Sequence, residues 1–311
     1  MKPDVLVVGT LMPYAIGVLE QRYTLHKLSQ AEDQEALLRS VGERIRGIAT
    51  GGRASASLID SCPNLEIISS FGVGTDGIDV EHAKKRGVPV CNTPDVLNDE
   101  VANTAIALTL ATIRNLVSYD RYVREGRWAQ EGDPPLTRSI AGRRVGIVGL
   151  GRIGRTIAEK LAVFHCTIAY FARHERPDAP YRFYADLVEL ARDSDVLIVI
   201  VPGGEATRNL IDRRVIDALG PQGILINVAR GSVVDEPALV AALQQGRLGG
   251  AGLDVFANEP NVPEALLSMD NVVLLPHQGS ATVETRRAMA DRMLDNLQAH
   301  FEGRPPISPL F

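Results

Sequence analysis

The sequence predicts an α/β protein of two doubly wound parallel sheets, with a dinucleotide-binding domain inserted into a second domain. Three observations predict it. Short apolar runs alternate with amphipathic stretches along the chain. The run at 145–148 leads straight into Gly149, Gly151 and Gly154, the spacing of a strand, a phosphate-binding turn and a helix start. The 311 residues suffice for two domains of ordinary size.

In chain order, Asp4–Val8 is a short apolar strand. A helix from near Tyr14 carries Ile16, Leu19 and Tyr23 on one face. Residues 23–28 read as a strand and 31–41 as a helix. A strand at 45–50 ends in Gly51-Gly52, and the helix at 56–61 is closed by Pro63. The strand at 65–70 runs into Phe71-Gly72-Val73-Gly74. Residues 79–86 are helical up to Gly87, and 88–92 form a strand. Asn98 or Asp99 caps a long helix, 100–115 or further, with Val101, Ala105, Leu108 and Ala111 on one stripe. The pattern stays helical over 119–128 and stops at Gly126-Arg127-Trp128. Trp128 serves either the local core or a partner surface. Asp133-Pro134-Pro135 is a loop.

Beyond the glycine turn, Ile157, Leu161 and Phe164 mark a helix. Strands follow at 167–171, 196–201, 223–227, 249–254 and 271–275, with helices at 187–192, 213–219 and 237–245 between them. A final amphipathic helix at 282–301 aligns Arg286, Met289, Met293, Leu294 and Leu297. The expected division is 1–97 with 279–311 as one domain and 98–278 as the other.

Composition removes several function classes. The net charge of −5, with no basic block, argues against a nucleic-acid partner. Three isolated cysteines, at 62, 91 and 166, give neither a metal-ligand spacing nor a disulfide framework. They read as reduced thiols of a cytoplasmic protein. No apolar run of about 18 residues exists, so no membrane span is expected. The opening MKPDVLVVGT is too short an apolar run for a signal peptide.

The glycines carry the first piece of chemistry. Gly149 permits a sharp turn, Gly151 lets backbone approach a pyrophosphate, and Gly154 lets the helix pack close on its strand. The helix N-terminus then offers N–H groups and a positive dipole end to phosphates. About 20 residues further on, NAD-binding units place an acid for the ribose hydroxyls. Here Arg173 stands in that place, followed by His174 and Arg176. A guanidinium fork suits a 2′-phosphate, so NADPH is expected ahead of NADH. Glu175 is the residue that would serve a ribose instead.

The second piece lies just beyond three successive apolar strands, at Arg230, Glu259 and His277. Strand ends on one side of a doubly wound sheet face one crevice. Reducing a 2-oxo acid requires a hold on the carboxylate, polarisation of the ketone oxygen and a proton for it. Arg230 can supply the first two as a permanent forked cation. A histidine can supply the proton, and a carboxylate beside it orients the ring and attracts its charged form. The backbone N–H groups of Val73 and Gly74, after a strand of the other domain, can hold the carboxylate.

On the motifs FGVGTDGID (71–79), VGIVGLGRIG (145–154), NVARGSVVDEPAL (227–239), GAGLDVFANEP (250–260) and LLPHQGSAT (274–282), the chain resembles the D-isomer-specific 2-hydroxyacid dehydrogenases over nearly its whole length. Within them it is similar to the glyoxylate/hydroxypyruvate reductase branch, with its 2-ketogluconate and hydroxyphenylpyruvate reductases. The resemblance implies two Rossmann-like domains, the one receiving the insertion being flavodoxin-like. It implies Arg230 as substrate anchor, Glu259 as partner and His277 as acid/base. Further cofactor contacts are implied at Arg152, Ile153, Val201, Pro202, Thr207, Val228, Ala229, Asp254 and Gly279, besides Gly149, Gly151, Gly154, Arg173, His174, Arg230 and His277. No metal is implied. A homodimer through the cofactor domains is, with the 100–128 region contributing and the place of Trp128 reaching the other subunit's active site in some relatives.

Some positions depart from the family. Val201-Pro202-Gly203-Gly204 replaces the usual Pro-Leu-Thr, which suggests a wider site or a looser loop. Asn98 and Asn103 stand where Thr and Asp are frequent. Gln278 replaces an apolar residue and could meet a polyhydroxy tail. The function expected is NADPH-preferring reduction of small 2-oxo acids to D-2-hydroxy acids. Glyoxylate and hydroxypyruvate lead, then 2-ketogluconate, then aromatic 2-oxo acids, with NAD(H) as the other cofactor. Non-catalytic, dinucleotide-sensing co-repressors are the rival reading, and the Arg/Glu/His set speaks against it. Phosphite or formate dehydrogenation is a third option that no residue here favours.

Overall fold

The computed structural model describes residues 2–311. Its elements run β1 (Asp4–Val8), α1 (Pro13–Arg22), β2 (Thr24–Lys27), α2 (Gln34–Val41), β3 (Ile45–Thr50), α3 (Ala56–Asp60), β4 (Ile67–Ser70), α4 (Val80–Lys85) and β5 (Val90–Cys91). Three helices follow, α5 (Asn98–Ile113), α6 (Leu116–Arg124) and α7 (Arg127–Glu131). Next come β6 (Arg144–Val148), α8 (Arg152–Ala162), β7 (Thr167–Phe171), β8 (Arg182–Tyr184), α9 (Leu187–Arg192), β9 (Val196–Val199) and α10 (Arg213–Leu219). The chain continues with β10 (Ile224–Asn227), α11 (Glu236–Gln244), β11 (Gly250–Leu253), α12 (Glu264–Leu267), β12 (Val272–Leu274) and α13 (Val283–Phe301). Two compact units result. One runs to Leu97 and resumes with Thr282–Phe311; the other is Asn98–Ala281. The return therefore falls after Ala281, past the Gln278 boundary read from the sequence.

In the first unit five parallel strands lie in the order β2-β1-β3-β4-β5. Side chains alternate between the two faces of a strand, and both faces here are covered. Leu6, Ile48, Ile68 and Val90 pack on one side with Ile59 and Ala83. Val5, Val7, Ala49, Ile67 and Cys91 pack on the other with Ala15 and Leu19 of α1 and Met293 and Leu297 of α13. The last helix thus supplies one face of the first sheet.

The second unit has seven parallel strands in the order β12-β11-β10-β9-β6-β7-β8. Strand order reverses between β6 and β9, and ligands of open α/β sheets bind beyond the carboxyl ends at such a point. Leu197, Leu225 and Leu253 form a core with Leu190, Ile216 and Leu239 from α9, α10 and α11. Helix α5 packs on α8, β10 and β11. A Cβ on Gly252 of β11 would stand 2.9 Å from Thr112 Oγ1 and 3.2 Å from Leu108 Cβ, so the missing side chain is what lets α5 lie so close.

The structure corrects several boundaries. Tyr23 lies outside α1, in extended backbone, yet is buried with its ring 5.4 Å from that of Phe301. Helix α2 starts later than read because the Asp33 carboxylate accepts from Ala36 N–H and caps it. Helix α5 already begins at Asn98, so neither Asn98 nor Asp99 precedes it. It breaks at Asn115, which is left-handed at φ 47°. Gly126, at φ 73°, makes a second break, and Trp128 sits inside α7 rather than ending a longer helix. Phe164 lies past the end of α8. Strands β9, β11 and β12 are shorter than their apolar runs. Strand β8 and helix α12 escaped the reading, because three or four residues carry no measurable period. Among the described residues no single helix is long and apolar enough to cross a membrane; α5 and α6 together pass that test but meet at a 59° bend, and α5 lies against the sheet.

Candidate active site

The glycine turn joins β6 to α8. Gly149 has φ 105°, and a Cβ there would meet the Ile200 carbonyl oxygen at 2.6 Å. A Cβ on Gly154 would lie 2.1 Å from the Gly149 carbonyl oxygen, so the first turn of α8 must rest on the loop itself. Among the described residues a Cβ on Gly151 would meet nothing within 4 Å, and no side chain caps the helix. Arg152 and Ile153 form its first turn. Open space before uncapped N–H groups at a dipole end fits a pyrophosphate.

The loop after β7 is held at two points. Tyr170 Oη accepts from Arg176 N–H at 2.7 Å, and Arg155 donates to Asp178 at 2.8 Å. Between these anchors Arg173, His174 and Glu175 are exposed, with no side-chain hydrogen bond or ion pair among the described residues. A fixed loop presenting a guanidinium with no internal acceptor fits a dinucleotide phosphate.

After β9 come Val201, Pro202 and the Gly203-Gly204 pair. Gly204 has φ 124°. The loop is closed rather than loose, since Thr207 Oγ1 donates to Pro202 O at 2.7 Å. After β10, Asn227 ties its own turn, taking Ala229 N–H at 3.0 Å and giving Nδ2 to Arg230 O at 3.1 Å. Val228 N–H bonds back to Val199 O at 3.2 Å. Arg230 is half-buried and donates through Nη1 to Ala229 O at 2.7 Å.

Gly231 explains how the Arg230 turn reaches the next loop. A Cβ at Gly231 would lie 1.9 Å from the Phe256 carbonyl carbon and 2.3 Å from Ala257 N. Backbone meets backbone there, three residues from Glu259. That loop is fixed by Glu236 Oε1, which accepts Ala257 N–H at 3.0 Å, and by Glu259 Oε1, which accepts Phe256 N–H at 3.0 Å. Glu259 Oε2 then lies 2.8 Å from His277 Nδ1. The expected carboxylate–imidazole pair is therefore formed, and it leaves Nε2 as the outward nitrogen. Side-chain exposures of 35% for Glu259 and 46% for His277 leave the pair open to a substrate.

His277 is held in the left-handed region at φ 54°, which costs a non-glycine residue about 1 kcal/mol or more. Asp254 holds it there. The Asp254 carbonyl accepts His277 N–H at 2.8 Å, and its carboxylate takes Gln278 N–H at 2.6 Å and Gly279 N–H at 2.8 Å. Asp254 is 1% exposed. Burial pushes its carboxyl above the usual range, opposed by those two N–H bonds and by His277. The sequence reading assigned Asp254 to the cofactor alone and missed this clamp; a buried acid at a strand end was the available signal. Gln278, in turn, folds back to donate to Pro276 O at 3.1 Å, and Asn103 bonds Glu100 at 2.9 Å. Val73 and Gly74 lie at the carboxyl end of β4 in the first unit.

The chain was compared with known proteins. A family profile described as D-isomer specific 2-hydroxyacid dehydrogenase, NAD binding domain, matches residues 106–279. A hydroxyphenylpyruvate reductase of Plectranthus scutellarioides is 49% identical over 308 residues, 98% of each chain. A 2-ketogluconate reductase of Gluconobacter oxydans is 46% identical over 99% of each. A solved NADPH-dependent glyoxylate/hydroxypyruvate reductase of Sinorhizobium meliloti, in complex with NADP and malonate, superposes with a TM-score of 0.95 at 48% identity, covering 100% of this chain and 97% of that one.

Asp254 gives a test of the clamp. Asp254→Asn turns one acceptor into a donor facing Gly279 N–H, leaving a buried donor unpaired at about 1–3 kcal/mol. Between the unfolded carboxyl value near 4 and the raised folded value, the folded chain holds more of the proton. Stability therefore falls as pH rises through that window, and the Asn variant lacks this contribution. Urea unfolding of both proteins across pH about 4–8 checks it; parallel pH profiles would contradict the assignment.

Proposed function

We propose that this chain, which belongs to the D-isomer specific 2-hydroxyacid dehydrogenase family, is an NADPH-preferring reductase of small 2-oxo acids, with glyoxylate and hydroxypyruvate first among them. Membership makes it an NAD(P)-dependent oxidoreductase. The observation that carries the reaction is the Glu259–His277 contact at 2.8 Å, set beside the Arg230 turn by the backbone contact at Gly231.

A dihydronicotinamide cofactor held at the Gly149–Gly154 turn would supply the hydride for the keto carbon. The residues do the rest. Arg230 binds the substrate carboxylate and draws charge towards the ketone oxygen as it becomes an alkoxide. His277 holds the proton on Nε2 and delivers it to that oxygen, because Nδ1 is engaged by Glu259. Val73 and Gly74 hold the carboxylate through backbone N–H groups. The product is a 2-hydroxy acid, of D configuration wherever the new carbinol carbon is chiral.

The named relatives divide over three substrates. Gln278 was the residue that favoured a polyhydroxy tail, and its amide is already spent on Pro276 O. Small 2-oxo acids therefore lead, 2-ketogluconate follows, and aromatic 2-oxo acids come third. Arg173 and His174 support NADPH over NADH. Cys62 and Cys91, fully buried with thiols pushed up to about 11 and about 12, suit a reducing, cytosolic setting. A homodimer is supported by the exposed apolar side chains gathered in one stretch of the chain, Leu116, Val117, Val123, Trp128 and Leu136, each 46% exposed or more. Trp128 is steadied there by its indole N–H on Asp133 at 2.9 Å.

Three outcomes are expected. His277→Gln lowers kcat for glyoxylate by about 10² or more; retained turnover would sink the proton-donor role. Arg173→Ala raises KM for NADPH roughly tenfold and leaves KM for NADH alone, the scale of one charge-assisted hydrogen bond. Equal shifts for both cofactors would remove Arg173 from the phosphate. Sedimentation velocity gives twice the chain mass, whereas a single-chain mass at micromolar concentration would refute the dimer.

A further inference from the structure

The loop after β4 shows how the proposed carboxylate site of Val73 and Gly74 is made, and it involves only the first unit. In a trans peptide the C=O of one residue and the N–H of the next point in opposite directions. The Gly72 carbonyl accepts from Thr93 N–H at 3.0 Å. The Val73 carbonyl accepts from Asn92 Nδ2 at 2.9 Å. Two successive peptides are thus pulled by their oxygens towards the segment after β5, and the N–H groups of Val73 and Gly74 must point the other way. Neither N–H meets an acceptor among the described residues, although both residues are half-buried. Two adjacent, unpartnered N–H groups turned to one side form an anion-binding concavity.

Asn92 is itself immobilised. It is 8% exposed. Its carbonyl takes Ser308 Oγ at 2.6 Å, and its N–H reaches Ser308 O at 3.3 Å. Ser308 in turn hangs on Asn296 of α13. The fully buried Asn296 accepts Ile307 and Ser308 N–H at 2.9 and 3.0 Å and donates Nδ2 to Ser308 Oγ at 3.0 Å. Leu310 N–H pairs with Val90 O at 2.9 Å, so the C-terminal residues run beside β5.

We infer that Asn92 is a positioning residue for substrate: it holds the Val73–Gly74 peptide so that its N–H is preorganised for the 2-oxo acid's carboxylate, with Asn296 and Ser308 bracing it from behind. The inference rests on the carboxylate role proposed for Val73 and Gly74. Preorganised donors need no rearrangement when the anion arrives. Release of the Val73 carbonyl frees the peptide to turn, and affinity for the carboxylate falls while proton transfer at His277 and cofactor binding are untouched.

Asn92→Leu removes the amide donor at similar volume and adds no charge, and Ser308→Ala removes the hydroxyl that braces Asn92 O and accepts from Asn296 Nδ2. With full-length protein, KM for glyoxylate and Ki for oxamate, a dead-end carboxylate probe, are expected to rise roughly 10- to 100-fold in Asn92→Leu, the scale of one or two charge-assisted hydrogen bonds. Ser308→Ala gives a smaller rise of the same kind. In both, kcat changes by less than about threefold and the NADPH Kd stays put, a split that general loss of folding does not produce. Unchanged KM and Ki in either folded variant overturns the inference, as does a fall in kcat without a rise in KM. If Asn92→Leu does not fold, Ser308→Ala decides. Failure of the proposed reductase function looks different: the unaltered protein itself would reduce no 2-oxo acid.

Discussion

The buried carboxylate of Asp254 is the constraint on which the catalytic end of the second sheet depends. It stands where β11 ends and gathers the backbone of His277, Gln278 and Gly279 by three bonds, two through its carboxylate and one through its carbonyl. Without them His277 has no reason to stay at φ 54°. With them, Nδ1 meets Glu259 and Nε2 is the ring nitrogen left for a substrate. The neighbouring strand repeats the device with a glycine, where the Arg230 turn rests on the Phe256–Ala257 backbone because Gly231 has no Cβ. Backbone contacts, more rigid than side-chain contacts, set the separation of the reacting groups.

Parallel topology explains why so few residues suffice. All strands of each sheet run one way, so every strand end opens on the same edge and each following loop adds one group. The phosphate turn follows β6, the arginine follows β10, and the histidine lies past β12. In the first unit the same logic puts the Val73–Gly74 loop after β4, braced by residues after β5.

Much of this was legible in the sequence. Apolar runs flanked by glycine marked most strands, and the Gly149–Gly154 spacing named the turn before any geometry was known. Arg230, Glu259 and His277 stood out because each follows an apolar run. What remained hidden has physical reasons. Asn115 breaks α5 from α6 in a left-handed conformation that no glycine announces. Strand β8 is three residues long and too short to show a period. Asp254 and Asn92 act through bonds to backbone atoms distant in sequence, from Gln278 and to Val73, and such pairings leave no local pattern. Gln278 looked like a substrate contact only because its own carbonyl partner at Pro276 was invisible.

We propose hydride-coupled reduction of a 2-oxo acid at the Arg230, Glu259 and His277 end of the sheet. Its most direct test is oxidation of NADPH by the purified, unaltered protein with glyoxylate and with hydroxypyruvate, followed at 340 nm, a wavelength set by the dihydronicotinamide chromophore. Saturable turnover that depends on the 2-oxo acid is expected, with about one NADPH consumed per 2-hydroxy acid formed. Tight NADPH binding with no turnover on these or on larger 2-oxo acids would contradict it, and would leave the chain a dinucleotide-binding protein.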